Sequence, residues 1–565
     1  MFVREKKIKG YSYLYLVETV REGKRTQQRI IKNLGRKDAV LANGGLERLA
    51  ASIARFADTV EVRGKLEAGQ LSASELEALC CRRIGAPLLF GRLWDETGVS
   101  AVLVSLLKDR GFDFSVERAV FTTVLHRIMV SGSDRSCATW LADYAIPDVE
   151  GLALHHFYRA MAWLGEELDD ADQADATPFS PRTIKDEIEE RLFARRRDLF
   201  TDLSVVFMDT TSLSFEGEGG ESLGKRGHSK DKRPDLKQMI LAAIIDNDGR
   251  PICSEMMPGN TADVRVLLPI VDRLRARFGI TKVCVVADRG MISAATIKAL
   301  EDRQLDYILG VRERSDKIVR ETVLDDPTPF TPLLIERASG ETQLFAKEVT
   351  VNERRYVVCR NEAEAKKDRE DRQAVIQALD AQLKKGEKTL IGNSAYRRYL
   401  RRTTRGDQEA PETKAAFEID AGKLADEARF DGVFVLRLPK KAKITPLQAV
   451  LRYRDLLQVE ELFRSAKSLL KTRPVYHSSD AAIRGHVFCS FLALILRKEL
   501  QARCDKAGIK PEWRDALRDL DRLQEITIQH NGDPIILRTQ TQGAVGPIFK
   551  AAGIALPKNI RPAQS

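Results

Sequence analysis

Two apolar runs that each end in an aspartate constrain this chain more than anything else in it. The first is Leu203-Ser-Val-Val-Phe-Met-Asp-Thr-Thr-Ser212, and the second is Lys282-Val-Cys-Val-Val-Ala-Asp-Arg-Gly290. Val205, Val206 and Phe207 are β-branched or aromatic and suit a pleated, half-buried surface, so the run predicts a strand with Asp209 at its end. Asp followed by Thr is also ordinary turn chemistry, and Asp209 alone would be explained that way. The second run repeats the design with Asp288, and two such strands side by side would bring two carboxylates together.

What lies between these runs sets their topology. Met239–Asp246 and Arg250–Met257 read as strands around the turn Asn247-Asp-Gly249. Thr261 is expected to cap a helix running to Phe278, with Val264, Leu267, Leu268, Val271 and Leu274 on one face. After the Asp288 strand come a helix, Ser293–Arg303, and a fifth strand, Tyr307–Val311. Three antiparallel strands followed by helix, strand, helix, strand is the order of a ribonuclease H-like core. Its first and fourth strands are neighbours, which places Asp209 beside Asp288.

The rest of the chain surrounds this core. Residues 1–37 carry 11 Lys/Arg against 3 Asp/Glu, a large share of the chain's net charge of +10. Gly10–Val20 and Thr26–Leu34, joined at Glu22-Gly-Lys-Arg25, read as a basic β-hairpin able to meet phosphates without reading sequence. Residues 38–200 read as a helical domain, with amphipathic stretches at Ser72–Cys81, Val116–Val130 and Arg182–Leu199 and an acidic loop at Gly165–Ala176. His155 and His156 lack an acid or thiol at fixed spacing and are expected to be structural.

The core's first part is residues 201–312, and it contains a basic loop, Gly219–Gln238, with Lys225, Arg226, Lys230 and Arg233. Between Asp288 and Glu460 lie 171 residues, more than such a core needs, so residues 313–440 are expected to be an inserted β-rich domain. Within it Thr342–Arg360 reads as two strands, Glu362–Lys385 as a charged helix and Phe430–Leu438 as a strand; the arginine-rich 397–415 suits either a DNA-facing arm or a solvated loop. The core resumes over 441–500, and 501–565 is expected to be a helical tail that supplies an oligomer surface.

Eight scattered cysteines, without Cys-x-x-Cys pairs or His at zinc spacing, point to reduced structural thiols. No apolar run approaches the roughly 20 residues that span a bilayer, and the N-terminus has no signal-type apolar region, so a cytoplasmic protein is expected.

Ile444–Lys471 reads as one helix whose buried stripe is Val459, Phe463, Ala466 and Leu470. At about 100° per residue, Tyr453, Glu460 and Lys467 fall near one line along the edge of that stripe, while Glu461 points away. Glu460 is thus the third acid able to face the core.

Tyr453, Glu460 and Lys467 resemble the tyrosine, glutamate and lysine of the signature around the third acid of bacterial insertion-sequence transposases, the DDE type. Leu456 stands where that signature has an arginine, and Arg452 lies one turn away. Gly227–Gln238, Asp288-Arg-Gly290, Arg473-Pro-Val-Tyr-His477 and Gly485-His486 are similar to the insertion sequence 4 superfamily, in the group with a β-rich insertion before the glutamate.

The resemblance implies a DNA transposase with Asp209, Asp288 and Glu460 as catalytic metal ligands. It implies two Mg²⁺ or Mn²⁺ ions, Asp209 bridging both and Asp288 and Glu460 each holding one. Carboxylate oxygens suit hard cations of this kind, and two such ions can support attack on a phosphodiester. Tyr453 and Lys467, with Arg464, Lys225, Arg226, Lys230 and Arg233, would contact DNA. The implied partners are double-stranded DNA, both terminal inverted repeats and target, and a second copy on paired ends; the protein would be nucleoid-associated when bound. A nuclease or resolvase of the same fold that cuts without joining, and a catalytically silent DNA-binding derivative, are the alternatives.

Overall fold

The structure is a computed structural model that describes residues 2–8, 10–22, 25–42, 76–174, 176–177, 180–196, 205–230, 233–279, 284–337, 340–385, 396, 398–404, 415–465, 475–530 and 533–563. It divides into two compact units, residues 1–157 with 496–565, and residues 158–495.

In the first unit the basic N-terminal segment forms three strands rather than two. β2 (Tyr11–Glu22) and β3 (Arg25–Arg36) are the expected hairpin, and β1 (Phe2–Ile8) pairs antiparallel with β2 from Phe2↔Val17 to Ile8↔Tyr11. Leu14 and Val17 are buried, while the flanking Arg4, Lys6, Lys7, Arg29 and Lys32 are exposed. Farther on, the helices Gly85–Glu96 and Val116–Met129 pack Leu89, Phe90, Leu93, Trp94 and Phe121 out of water. His156 takes a backbone hydrogen bond from Ala153 (3.0 Å) and stacks on Phe114, a structural role as expected.

Two expectations fail in this unit. The stretch expected as a helix over Ser72–Cys81 is, from Leu76, the strand β4 (Leu76–Arg83), and the tail is not all helical. The strands Gln524–His530, Asp533–Arg538 and Ile560–Pro562 join β4 in a four-stranded sheet. The pairing Ile526↔Cys81 explains both failures: β4 finds its hydrogen-bond partners in a strand some 440 residues away, which no local periodicity records.

The second unit is built on a nine-stranded mixed sheet. β5 (Val205–Ser214), β6 (Gln238–Ile245) and β7 (Pro251–Pro258) form the expected antiparallel meander. β8 (Cys284–Ala287) then pairs parallel to β5, and β9 (Asp306–Gly310) parallel to β8. Their order across the sheet is β9-β8-β5-β6-β7, the order that puts the first and fourth strands together.

The helices Asp263–Phe278 and Ala294–Asp302 cover one face, where Met208, Val266, Leu267, Val285, Ala287, Ile297 and Leu309 form a closed core. Each fully buried aliphatic side chain of this kind contributes about 1.5–3 kcal/mol. Because Met208 faces that core and side chains alternate along a strand, Asp209 faces the opposite side.

The insertion does not make a sheet of its own around the core. β10 (Thr331–Arg337), β11 (Gly340–Val351) and β12 (Arg354–Arg360) continue through β15 (Val433–Pro439) into β9, with Leu436↔Gly310 in register, so the core sheet simply extends. The charged helix Glu362–Lys385 has the expected bounds, its first turn held by Asn361 Oδ1, which accepts from the Ala363 and Glu364 amides. A separate hairpin pairs β13 (Leu400–Thr404) with β14 (Ala415–Ile419). The remainder of the arginine-rich arm, residues 405–414, lies outside the described residues.

A buried ionic network fixes the helix that follows β7. Arg273 and Arg277, on the helix Asp263–Phe278, pair with Glu255 of β7 and Asp186 of the helix Ile184–Arg196, and Lys185 bonds Asp186, Glu189 and the Ser254 carbonyl. Charges removed from water in this way are tolerated only because they are mutually paired.

Candidate active site

The parallel register of β5 and β8 brings the first two acids together. Met208 pairs with Ala287, so Asp209 and Asp288 follow at the same level on adjacent strands. Asp209 is largely buried and its Oδ1 accepts the Thr210 amide at 2.7 Å. Burial pushes its carboxyl up to about 6; the Lys230 ammonium and the Thr210 amide oppose that rise, and the carboxylates of Asp288 and Glu460 add to it.

The third acid arrives on a broken helix. Instead of one helix over Ile444–Lys471 there are two, Pro446–Asp455 and Leu457–Arg464. At the joint Leu456 donates to the Tyr453 carbonyl and Val459 to the Leu456 carbonyl, which tightens the turn. The capping box of Thr445 and Gln448 starts the first segment, and Val459 and Phe463 form the expected buried stripe of the second. Ala466, Lys467 and Leu470 lie outside the described residues.

Glu460 is exposed on the side that faces the first two acids. With Asp288, Tyr453, Arg454, Asn361 and Phe434 it lines a cavity of about 240 Å³, to which Glu461 does not contribute. Tyr453 donates its hydroxyl to Asp288 Oδ1 at 3.2 Å. That approach needs Gly310: a Cβ there would lie 2.3 Å from the Tyr453 oxygen. Asn361 and Phe434 belong to the insertion, so the added strands wall the space beside the acids.

Leu456, in the place of the signature arginine, is buried and lines the same cavity. Arg452 is half-buried with its guanidinium beside the Cys284 thiol at the start of β8.

A fourth carboxylate, Asp263, lies beside Thr210 and Lys230 at the start of the helix that covers the other face of the sheet, and sequence reasoning missed it. Thr261 was expected to cap the helix; Ala262 holds that position without a side-chain bond, and Asp263 opens the first turn. Asp263 Oδ1 accepts from Thr210 Oγ1 at 3.0 Å, and its Oδ2 lies 3.2 Å from Lys230 Nζ. A Cβ placed on Gly290 would be about equally far from Asp263 and Asp288, at 3.9 and 4.0 Å. The available signal was an acid in the first turn of a helix, where it also suits the positive end of the helix dipole.

The expected DNA contacts divide. Lys230 Nζ donates to the Thr210 carbonyl and hydroxyl at 2.7 Å each, so this lysine is turned inward as a counter-ion of the acids. Arg233 forks onto Asp235. Lys225, Arg226 and Arg464 are exposed. The loop that carries the first two is pinned at both ends, by Asp480, which accepts from Ser222 and Leu223, and by Gln238, which donates to the His228 and Gly259 carbonyls.

Carboxylates on adjacent strands and on a neighbouring helix, with one lysine among them, are oxygen donors of the type that hard divalent cations prefer. The chain belongs to the transposase DDE domain family, which matches residues 200–496. The N-terminal domain of IS1634 family transposases matches residues 3–65, which marks the insertion-sequence branch of that class.

Among solved structures, one similar to this chain is described as the cryo-EM structure of the piggyBac transposase synaptic complex with hairpin DNA. It is 12% identical, with 77% of this chain and 79% of that one covered and a TM-score of 0.36. Another is the Mos1 transposase paired-end complex with left transposon end, at 15% identity, 37% and 57% coverage and a TM-score of 0.14. No curated protein matches the chain.

Proposed function

We propose that this protein is the transposase of an insertion sequence of the insertion sequence 4 superfamily, in the group with a β-rich insertion before the third acid. It binds the inverted repeats at the ends of its element, cuts the DNA there and joins the freed ends to target DNA. The observation that carries this reading is the parallel pairing of Met208 with Ala287, which delivers Asp209 and Asp288 to one place within reach of Glu460.

The donor set fits two Mg²⁺ or Mn²⁺ ions: all of its acids are oxygen ligands, and Asp209 is a largely desolvated carboxylate with Asp288 and Glu460 close enough to act on it. Such ions, when bound, lower the barrier to in-line displacement at phosphorus by favouring the attacking and leaving oxygens. Asp209, Asp288 and Glu460 would hold them. Tyr453 fixes the orientation of Asp288 through its hydroxyl. Asp263 and Lys230 brace Thr210, and with it the backbone that carries Asp209. Lys225, Arg226, Arg464 and the basic N-terminal sheet offer cations to the phosphate backbone. The protein works in the cytoplasm on the nucleoid; no described helix is long and apolar enough to cross a membrane.

The test is cleavage of a duplex carrying the inverted repeat that flanks the gene. Asp209→Asn, Asp288→Asn and Glu460→Gln should each abolish Mg²⁺-dependent cleavage while leaving end binding largely intact, and Glu461→Gln should be nearly silent. Activity close to wild type in any of the three would reassign that acid, and cleavage without joined products would favour a nuclease or resolvase.

A further inference from the structure

A second polar cavity lies on the other side of Gly310. It is about 310 Å³ and is lined by the end of β9, the segment that follows it, the start of the helix Ala294–Asp302, and Arg354 and Arg437 from the added strands. Three arginines, Arg312, Arg354 and Arg437, face it against one carboxylate, Asp316.

Each arginine has capacity to spare. Arg312 is exposed, and its guanidinium makes no hydrogen bond or ion pair among the described residues. Arg354 uses Nε and Nη2 on Glu301. Arg437 is only 8% exposed; its Nη2 donates to Asp316 Oδ2 at 2.6 Å, but its buried Nε has no acceptor. Asp316 is otherwise occupied, because its Oδ1 accepts the Val319 amide. An arginine donor buried without an acceptor carries a desolvation cost that an incoming anion would relieve.

The helix adds to this field. Ser293 caps it by accepting from the Thr296 amide, which leaves the amides of Ala294 and Ala295 at its start without an intrahelical acceptor. The positive end of the helix dipole therefore points to the same side as the arginines.

We propose that this cavity is a phosphate-binding site, and, resting on the transposase reading above, that it takes a backbone phosphodiester of the bound DNA strand close to the acids. Gly310 lines this cavity, and the Tyr453 hydroxyl that touches Asp288 packs against the same glycine. A planar fork such as Arg437 or Arg354 matches phosphate geometry, and an unpaired, exposed Arg312 is placed to meet the anion first.

The experiment uses the full chain, a fluorescein-labelled duplex oligonucleotide in a KCl series, and inorganic phosphate in a thermal melt. Arg312→Gln should lower the slope of log affinity against log salt by about 0.9, the effect of one phosphate contact. Arg437→Lys keeps the charge, so it should leave the slope as it is and weaken affinity several-fold. Inorganic phosphate should raise the melting temperature of the wild type more than that of either variant.

Wild-type DNA affinity, slope and phosphate response in both variants would overturn the site. A phosphate response lost in Arg312→Gln with DNA affinity and slope unchanged would overturn the DNA assignment in favour of free phosphate. Failure of the transposase reading is separate: the wild type would then not cut DNA with Mg²⁺, while the phosphate-induced melting shift and its loss on substitution would stand.

Discussion

Asp209 is held at odds with its surroundings. Burial, together with the neighbouring carboxylates of Asp288 and Glu460, raises its pKa to about 6, whereas an aspartate in the unfolded chain titrates near 3.9. A carboxyl whose pKa rises on folding contributes stability below the unfolded value, and that contribution is lost as pH rises through the folded one. Without divalent ions, Asp209→Asn should therefore be more stable than wild type at pH 8, by about 1–3 kcal/mol, with the gain shrinking toward pH 4. Urea unfolding at the two pH values measures this. Equal stability at pH 8 would mean that Asp209 is ionised at no cost, with its neighbours fully compensated. Added Mg²⁺ should reverse the order, because an ion that binds only the folded wild type stabilises it by mass action.

At the scale of elements, what the sequence could show follows the range of the interactions involved. The strands that carry Asp209 and lead into Asp288 and the helix Glu362–Lys385 were legible because strand propensity and helical charge patterning are local, although the first strand does not end at Asp209 but pairs with β6 as far as Ser214. The strand β4, the strands of the tail and the merging of the insertion with the core sheet were not, because each depends on hydrogen bonds to a distant segment. The break at Leu456 escaped for a different reason: Tyr453 and Glu460 keep nearly the same face across it, so their heptad spacing reads as one helix. Asp263 was passed over because an acid in a first helical turn has an adequate local explanation. Its helix is held by Arg273 and Arg277, whose pairing with Asp186 and Glu255 is fully buried. Arg277→Met should destabilise the protein by about 3–5 kcal/mol, since it leaves the buried carboxylates of Asp186, Glu189 and Glu255 to share only Arg273 and Lys185. A loss below about 1 kcal/mol in urea unfolding would show that Arg273 and Lys185 suffice without it.

For the whole molecule, the proposed function implies that one set of acids serves one DNA end, and moving an element would require two ends processed together. On the reading proposed above the protein is mostly monomeric when free and pairs on its end DNA. Light scattering with and without an end duplex tests this. A stable dimer in the absence of DNA, or strand transfer completed by one protein on one end, would contradict it. The basic three-stranded sheet at the N-terminus and the exposed Lys225 and Arg226 lie in different units, so a DNA long enough to meet both is the appropriate probe.

The central claim is that Asp209, Asp288 and Glu460 converge to hold divalent cations. Calorimetric titration of the full chain with Mn²⁺ tests it most directly, because it reads binding without DNA or turnover. Wild type should show saturable Mn²⁺ binding, strongly weakened in Asp209→Asn, Asp288→Asn and Glu460→Gln taken singly, and unchanged in Glu461→Gln. Binding that survives in all three single variants, or that is lost equally in Glu461→Gln, would contradict the account.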